Sequence, residues 1–233
     1  ECSAMSMKCL GDSFDIHAGG IDLQFPHHEN EIAQSEAATG VPFVNYWMHN
    51  GYVQVDREKM SKSLGNFFTI REILERDSSP QRMGEIVRYM ILASHYRSPL
   101  NFSGKSLDNA HASLTRLYLA LDKVGSHRAK SDGWQESDYW KSFNAALADD
   151  FNTPDAISIL FNLARELNRM ADSGQIERAR DLCGQLMTLA GSLGLLYQDP
   201  DTFLRGLGDT EESGSVLKTE WIEQKIQERF IAR

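Results

Sequence analysis

A histidine and a carboxylate stand four residues apart in the stretch 25–31, which has the sequence FPHHENE. Pro26 suits the first turn of a helix, where its missing N–H costs nothing. A helix that starts there puts His27 and Glu31 on one face, and Cys2 upstream can add a thiolate. Cys, His and Glu are ligands that Zn²⁺ accepts at an open catalytic site. The alternative is a capped surface helix with one packed histidine, and the spacing alone leaves both open.

A second group of polar residues follows a short predicted strand. Residues 14–17 alternate apolar and polar side chains, which indicates a strand, and the Ala-Gly-Gly of 18–20 predicts its end. A buried Asp22 at the end of a strand can hold the ammonium group of a ligand, whereas an ordinary turn aspartate is the alternative. His17 is either a polar wall of the same pocket or a satisfied surface residue.

Two lysines three residues apart, Lys59 and Lys62, lie in a stretch that also contains two serines and a glycine. Ammonium groups on a mobile loop can meet a triphosphate as point charges. They can also stabilise the charge that develops as pyrophosphate leaves. A solvated basic loop between a strand and a helix is the alternative on composition alone.

Composition limits the classes of protein. A net charge of −9 over 233 residues argues against a protein that grips nucleic acid by bulk charge, although a local basic face is compatible with it. Three dispersed cysteines make no disulfide framework and indicate a reducing compartment. No apolar run approaches membrane-spanning length and no signal peptide is visible. Because the chain opens on Glu1 and at once uses a candidate ligand, we expect a fragment of a longer protein.

The first part of the chain alternates predicted strands with helices, which is typical of an α/β domain. Gly40 suits the C-cap of a helix over 26–38, and Thr69 with Glu72 fits a capping box. A turn-rich joint at 97–104 predicts a domain boundary. The remaining predicted elements are strands at 43–48 and 52–55 and helices over 69–96 with a break at 77–80.

The second part, residues 106–195, carries apolar residues at helix spacing and predicts a helix bundle. Thr153 as N-cap and Pro154 at the first position predict the start of one of its helices. Residues 197–215 are rich in Gly, Asp and Ser and indicate a flexible linker. Residues 217–233 predict a charged amphipathic terminal helix.

Residues 59–63 spell KMSKS, the signature of class I aminoacyl-tRNA synthetases. Several other stretches, in the same order, resemble cysteinyl-tRNA synthetase over most of residues 1–175 and weakly beyond. The resemblance implies the C-terminal part of a Rossmann-like catalytic domain followed by a helix bundle, an α/β plus all-α fold. The expected domains are 1–100, 101–196 and a linker with terminal helix at 197–233. The stretches that carry the resemblance are 1–5 (ECSAM), 19–31 (GGIDLQFPHHENE), 45–49 (NYWMH), 56–58 (DRE) and 147–154 (LADDFNTP).

Family knowledge assigns roles to matching residues. The family's zinc is held by two Cys, one His and one Glu; Cys2, His27 and Glu31 match three of these ligands. The fourth is a cysteine of the amino-terminal half, which this chain lacks, and Cys9 is not part of the family's pattern. The other matching residues are Lys62 for ATP, Lys59 beside it, and His17 and Asp22 as positions of the substrate pocket.

The implied reaction joins L-cysteine to its tRNA through a cysteinyl-adenylate made with ATP and Mg²⁺. One zinc per subunit would select a thiol over the hydroxyl of serine. We expect a cytoplasmic monomer with no membrane contact, and a fragment that is inactive alone because the family's upstream ATP signature, His-Ile-Gly-His, is absent. Two alternatives stay open: a ligase that joins activated cysteine to an amino sugar, and a non-catalytic zinc or RNA-binding module.

Overall fold

The computed structural model describes residues 1–55, 58–60, 67–125 and 137–205. Strands and short helices make up its first part and longer helices its second, which confirms the predicted α/β plus all-α architecture. The strands are β1 (Phe14–Gly20), β2 (Val44–Asn50), β3 (Val53–Val55), β4 (Glu58–Lys59) and β5 (Leu100–Phe102). The helices are α1 (Cys2–Leu10), α2 (Glu29–Thr39), α3 (Ile70–Leu74), α4 (Pro80–Leu92), α5 (Gly104–Asp122), α6 (Asp138–Ala148), α7 (Thr153–Asp172), α8 (Ile176–Ser192) and α9 (Pro200–Arg205).

Strands β1 and β2 are parallel neighbours, and α2 is the crossover between them. Ile16 lies opposite Tyr46, and His17 lies opposite Trp47. Because successive side chains of a strand point to opposite faces, this register separates two surfaces. We call the one that carries His17 and Trp47 the histidine face.

The chain before α2 differs from the prediction in two places. Residues 2–10 form helix α1, where the sequence predicted no helix, and this helix packs on α2 through Ser3. The predicted helix over 26–38 begins only at Glu29, because residues 24–28 form a π-type turn in which Phe25 is extended (φ −132°, ψ 132°). A residue before proline avoids the helical region, so the chain enters the helix later than Pro26 suggested.

Strands β3, β4 and β5 make a second small sheet in which β3 pairs antiparallel with β4 and parallel with β5. The segment 97–104 was expected to be a joint of turns, and β5 within it is a correction. Phe102 of β5 is buried and joins the core, so burial of this side chain fixes the segment as a strand.

Helix starts follow their capping residues. The capping box at Thr69 is confirmed, with Thr69 N–H donating to Oε2 of Glu72 (2.7 Å) and Glu72 N–H donating to Oγ1 of Thr69 (3.2 Å). The N-cap of α7 is Asn152 and not Thr153, since Oδ1 of Asn152 accepts the N–H of Asp155 (3.3 Å). The prediction was therefore one residue late.

The core lies among α4, α5, α7 and α8, with Leu114, Leu160 and Leu186 fully buried. Helix α9 closes one end of α5, where the ring of Phe203 stacks on Tyr118 at 4.0 Å. Residues 200–205 are therefore ordered structure and not part of a linker. The predicted terminal helix at 217–233 lies outside the described residues.

A buried carboxylate ties the two parts together. Glu85 of α4 is 0% exposed and accepts hydrogen bonds from the hydroxyl of Tyr118 (2.8 Å), the N–H of Leu196 (2.6 Å) and the side-chain amide of Gln198 (2.7 Å). Burial raises the pKa of Glu85, and these hydrogen bonds oppose the rise. The segment after α8 is thus attached to α4 by one carboxylate.

Candidate metal and substrate site

Glu31, in the first turn of α2, meets two imidazoles. His17 comes from β1, and His28 comes from the turn just before α2; one ligand atom from each of the three residues lies within 4.8 Å of the others. Nε2 of His17 is 3.4 Å from Oε2 of Glu31. The structure therefore assembles a compact group of two imidazoles and one carboxylate on the histidine face.

The carboxylate of Glu31 is only partly satisfied by the described part of the chain. Its Oε2 is buried and accepts no hydrogen bond from the described residues, although it forms the ion pair with His17. An unsatisfied buried oxygen costs free energy, and a divalent cation beside two imidazoles would satisfy it. Nitrogen and oxygen donors are among the ligands that Zn²⁺ prefers. The residues present fit a zinc ion.

His28 is the most buried member of the group. Its side chain is 4% exposed, and its Nδ1 lies 2.8 Å from Nε2 of His49 on β2. Loss of solvent lowers the pKa of His28, the neighbouring His17 lowers it further, and Glu31 opposes the shift. A lowered pKa keeps this imidazole neutral near pH 7, which is the form that binds a metal.

An aromatic wall supports the imidazoles. The ring of Trp47 stacks on His17 at 4.7 Å and lies parallel to His49 at 6.1 Å. The rings of His17 and His28 meet edge to face at 4.8 Å. Packed in this way, the imidazoles have little room to change rotamer, so the group is held in one arrangement.

Gly19 allows this arrangement. A Cβ at this position would lie 2.9 Å from Cε1 of His28 and 3.1 Å from Cδ1 of Leu23. The sequence suggested that the Gly-Gly pair ends the strand, but β1 continues through both glycines. At Gly19 the missing side chain makes room for the imidazole of His28.

The structure does not bring the three predicted zinc ligands together. Glu31 belongs to the group, but Cys2 and His27 are exposed and lie outside it. Cys2 is nevertheless near α2, because Oγ of its neighbour Ser3 donates to Oε1 of Gln34 (3.2 Å). Gln34 lies one turn along α2 from Glu31. Both exposed side chains are therefore near α2, and neither makes a hydrogen bond within the described part of the chain.

The predicted substrate residues take different positions. His17 lies in the group, whereas Asp22 is exposed in the single turn Ile21–Leu23 directly after β1. A Cβ on Gly20 would lie 2.5 Å from Oδ1 of Asp22, so this carboxylate folds back over the end of the strand. Asp22 therefore lies at the same end of β1 as the group of His17, His28 and Glu31, but it is not part of that group.

The predicted ATP residues are only partly described. The backbone of Lys59 lies in β4 opposite Gln54, and the next residue, Met60, donates its N–H to the carbonyl of Val53 (3.1 Å). Lys62 lies outside the described residues. The small sheet therefore leads the chain to the KMSKS stretch.

The sequence interpretation missed His28, His49 and Trp47. His28 was not predicted as a ligand, because a helix that starts at Pro26 places His27, and not His28, on the face of Glu31. Trp47 was treated as a member of an apolar strand over 43–48, and His49 was noted only as part of the stretch 45–49 that carries the family resemblance. The available signal was their spacing by two residues, which places both on one face of β2.

Comparisons with known proteins agree with this architecture. A family model described as the catalytic domain of tRNA synthetases class I (C) matches residues 1–112, and a DALR domain model matches residues 142–198. The chain is 56% identical over 235 residues to a cysteine--tRNA ligase of Thioalkalivibrio sulfidiphilus and 55% identical over 233 residues to one of Burkholderia cenocepacia. All of the chain is matched, but only 48% and 47% of these relatives. The chain spans about half the length of the curated relatives it matches.

A solved structure shares the fold. The LeuRS of Agrobacterium radiobacter, crystallised as a ternary complex with tRNA and LeuAMS, superposes with a TM-score of 0.55 at 18% identity. The match covers 87% of this chain and 28% of the LeuRS chain. At that identity the likeness concerns the fold alone. Among the described residues, no helix has the length and apolar character needed to cross a membrane.

Proposed function

Because the chain belongs to the class I tRNA synthetases, in the group of cysteine--tRNA ligases, we propose that the full-length protein joins L-cysteine to its tRNA with ATP. The observation that carries the proposal is 51–56% identity to such ligases over the whole chain. The group of His17, His28 and Glu31 adds a site at which a metal could select the substrate. The protein would act in the cytoplasm as a monomer.

We propose that zinc is bound through Glu31, with Cys2 and His27 as the further ligands that the family resemblance implies. The contact between Ser3 and Gln34 supports this set, since it brings the start of α1 beside α2. When bound, zinc supplies a soft cation that prefers a thiolate to a hydroxyl. Selection of cysteine over serine needs this chemistry, because shape separates two side chains of similar size poorly.

One observation favours a second ligand set, which consists of His17, His28 and Glu31. Atoms of His17, His28 and Glu31 already lie within 4.8 Å of one another. Substitution of zinc by Co²⁺ separates the two sets. A thiolate ligand gives an intense charge-transfer absorption, which Cys2→Ser should weaken if Cys2 binds the metal and should leave unchanged if His17, His28 and Glu31 hold it.

The remaining roles concern the other substrate groups. Asp22 would hold the ammonium group of cysteine at the end of β1. Lys62, with Lys59, would steady the phosphates of ATP while the substrate carboxylate attacks the α-phosphorus and pyrophosphate leaves. No protein nucleophile is needed, because the carboxylate of cysteine forms the new bond.

The test is pyrophosphate exchange by the full-length protein, followed by aminoacylation. The proposal expects exchange that depends on cysteine and then transfer of labelled cysteine to tRNA. Exchange without transfer to tRNA would favour a ligase with another acceptor. No exchange from a folded, zinc-loaded protein would reject the proposal.

A further inference from the structure

A cavity of about 390 Å³ lies where β1 and β2 end and where α4 and α7 meet them. Ala18 contributes to its wall from β1, and Met48 and Asn50 contribute from β2. Its volume is within the range of small-molecule and cofactor sites. The cavity is therefore large enough for one flat ring system with its substituents.

The cavity is separate from the histidine face. Ala18 follows His17, and Met48 stands between Trp47 and His49, so the strand alternation turns these side chains to the opposite side of the sheet. A ligand in the cavity would be separated from the group around Glu31 by the sheet itself. The cavity is not the proposed site of the metal or of the amino acid.

Part of the cavity wall is Phe151, an exposed phenylalanine held in an unusual backbone conformation. Phe151 lines the cavity with 56% of its surface exposed. Its φ is 55° and that of Asp150 is 51°, which puts two consecutive non-glycine residues in the left-handed region. Such conformations cost free energy and cluster at functional sites. The motif around Asp150 also carries part of the family resemblance, and the proposed function gives it no role.

A guanidinium group lies at the rim. Nε of Arg97 lies 2.6 Å from Oδ2 of Asp150 in an ion pair and donates to the hydroxyl of Tyr96 (3.1 Å), and Tyr96 itself lines the cavity. The two terminal nitrogens of Arg97 make no hydrogen bond within the described part of the chain, and its side chain is 61% exposed. Asp150 thus orients a cation whose two outer nitrogens are free to bind an anion.

We propose that this cavity binds one unpaired nucleotide of RNA, with its base against Phe151 and its phosphate on Arg97. Bases stack on aromatic rings in single-stranded recognition, and a guanidinium binds phosphate through two nitrogens. Asn50 offers an amide to the edge of the base. The two free guanidinium nitrogens favour a phosphate over an apolar segment of protein. The inference rests on the proposed function, in which tRNA is a substrate.

The experiment measures tRNA affinity of the full-length protein with Phe151→Leu, which keeps an apolar side chain and removes the ring. Loss of one stacked base corresponds to about tenfold weaker binding. Tyr46→Leu is the matched control, because Tyr46 is an exposed aromatic (69%) on the same side of the sheet but outside the cavity. Its affinity for tRNA should equal that of the wild type.

A second variant tests the phosphate contact. Arg97→Gln should weaken binding of tRNA and reduce the slope of log K against log salt by about one. Pyrophosphate exchange with cysteine should be unchanged in both variants, since neither residue touches cysteine or ATP. If both variants bind tRNA as the wild type does, the inference is wrong.

A photo-cross-linking residue at position 151 identifies the occupant directly. Cross-linking to tRNA supports the inference, and cross-linking only to another polypeptide segment overturns it. Aminoacylation by the wild type in the same preparation separates this failure from that of the proposed function. An active wild type with unaffected variants rejects only the nucleotide site, whereas an inactive wild type rejects the function.

Discussion

Nδ1 of His28 lies 2.8 Å from Nε2 of His49, and this contact joins the turn before α2 to the end of β2 on the histidine face. His28 is 4% exposed, so its ring nitrogen has no water to replace a lost partner. The contact holds Nδ1 of His28 against β2, while Nε2 lies close to Gly19 of β1. It therefore sets the arrangement that brings His28 to Glu31.

Replacement of His49 should destabilise the fold even when no metal is bound. In His49→Ala the buried Nδ1 of His28 loses its partner, which should lower the free energy of unfolding by about 1–3 kcal/mol. His49→Gln keeps a polar group at a similar reach and should lose less. Urea unfolding in the presence of a chelator measures both. His27→Ala is the control, because His27 is exposed, and an equal loss in this variant would contradict the role given to His49.

Gly19→Ala should also disturb the imidazole of His28. The added Cβ would lie 2.9 Å from Cε1 of His28, so the ring or the strand must shift. Overpacking of this kind costs about 1–3 kcal/mol. Gly104→Ala is the matched control, since no atom lies within 4 Å of a Cβ there. Thermal unfolding should separate the two variants, and equal midpoints would show that the close approach is unimportant.

The sequence predicted the local elements well and the partners of Glu31 poorly. The capping box at Thr69 depends on residues three apart, so the sequence contains all of it. The choice of His28 over His27 depends on the π-type turn at 24–28, which rotates the chain before α2 begins. His28 in this turn contacts His17 of β1 and His49 of β2, and the second contact joins residues 21 positions apart in sequence. Spacing by four residues assumed a regular helix that is not there.

The same reasoning explains the errors at the start of α7 and over the segment that forms α9. Asn152 and Thr153 are both good N-cap residues, and only the backbone shows that Asn152 accepts the N–H of Asp155. The composition of 197–215 indicated a linker, but Phe203 finds a stacking partner in Tyr118, far away in sequence. Burial of Pro200 and Phe203 attaches this short segment to the bundle.

The N-cap assignment leads to a simple test. Asn152→Ala should lower the free energy of unfolding by about 1 kcal/mol, because the N–H of Asp155 loses its acceptor. Thr153→Ala should have a smaller effect, since Thr153 lies inside the helix. Chemical unfolding of the two variants is the measurement. A larger loss in Thr153→Ala would restore the capping role to threonine.

Glu85 should make stability depend on pH. Its folded pKa is raised, chiefly by burial, so the folded state holds its proton more tightly than the unfolded state does. The favourable contribution is then complete below the unfolded pKa and is lost as pH rises through the folded pKa. Glu85→Gln removes this dependence. The difference in unfolding free energy between wild type and variant should fall with rising pH.

The variant should also be less stable near neutral pH. A glutamine has one acceptor oxygen where Glu85 has two, so its NH2 group would face either the N–H of Leu196 or the side-chain amide of Gln198, and one unpaired buried group costs about 1–3 kcal/mol. Glu177→Gln is the control, since the Glu177 side chain is 88% exposed. Its unfolding curve should match that of the wild type at each pH. A pH-independent difference for Glu85→Gln would contradict the raised pKa.

Glu31 is the residue on which both candidate ligand sets depend, so zinc content of the full-length protein tests the account most directly. Elemental analysis should find one zinc per chain in the wild type and a loss of most of it in Glu31→Gln, with cysteine-dependent pyrophosphate exchange lost in parallel. Glu36→Gln, at an exposed position of the same helix, should keep both. Full zinc content and full discrimination against serine in Glu31→Gln would contradict the account.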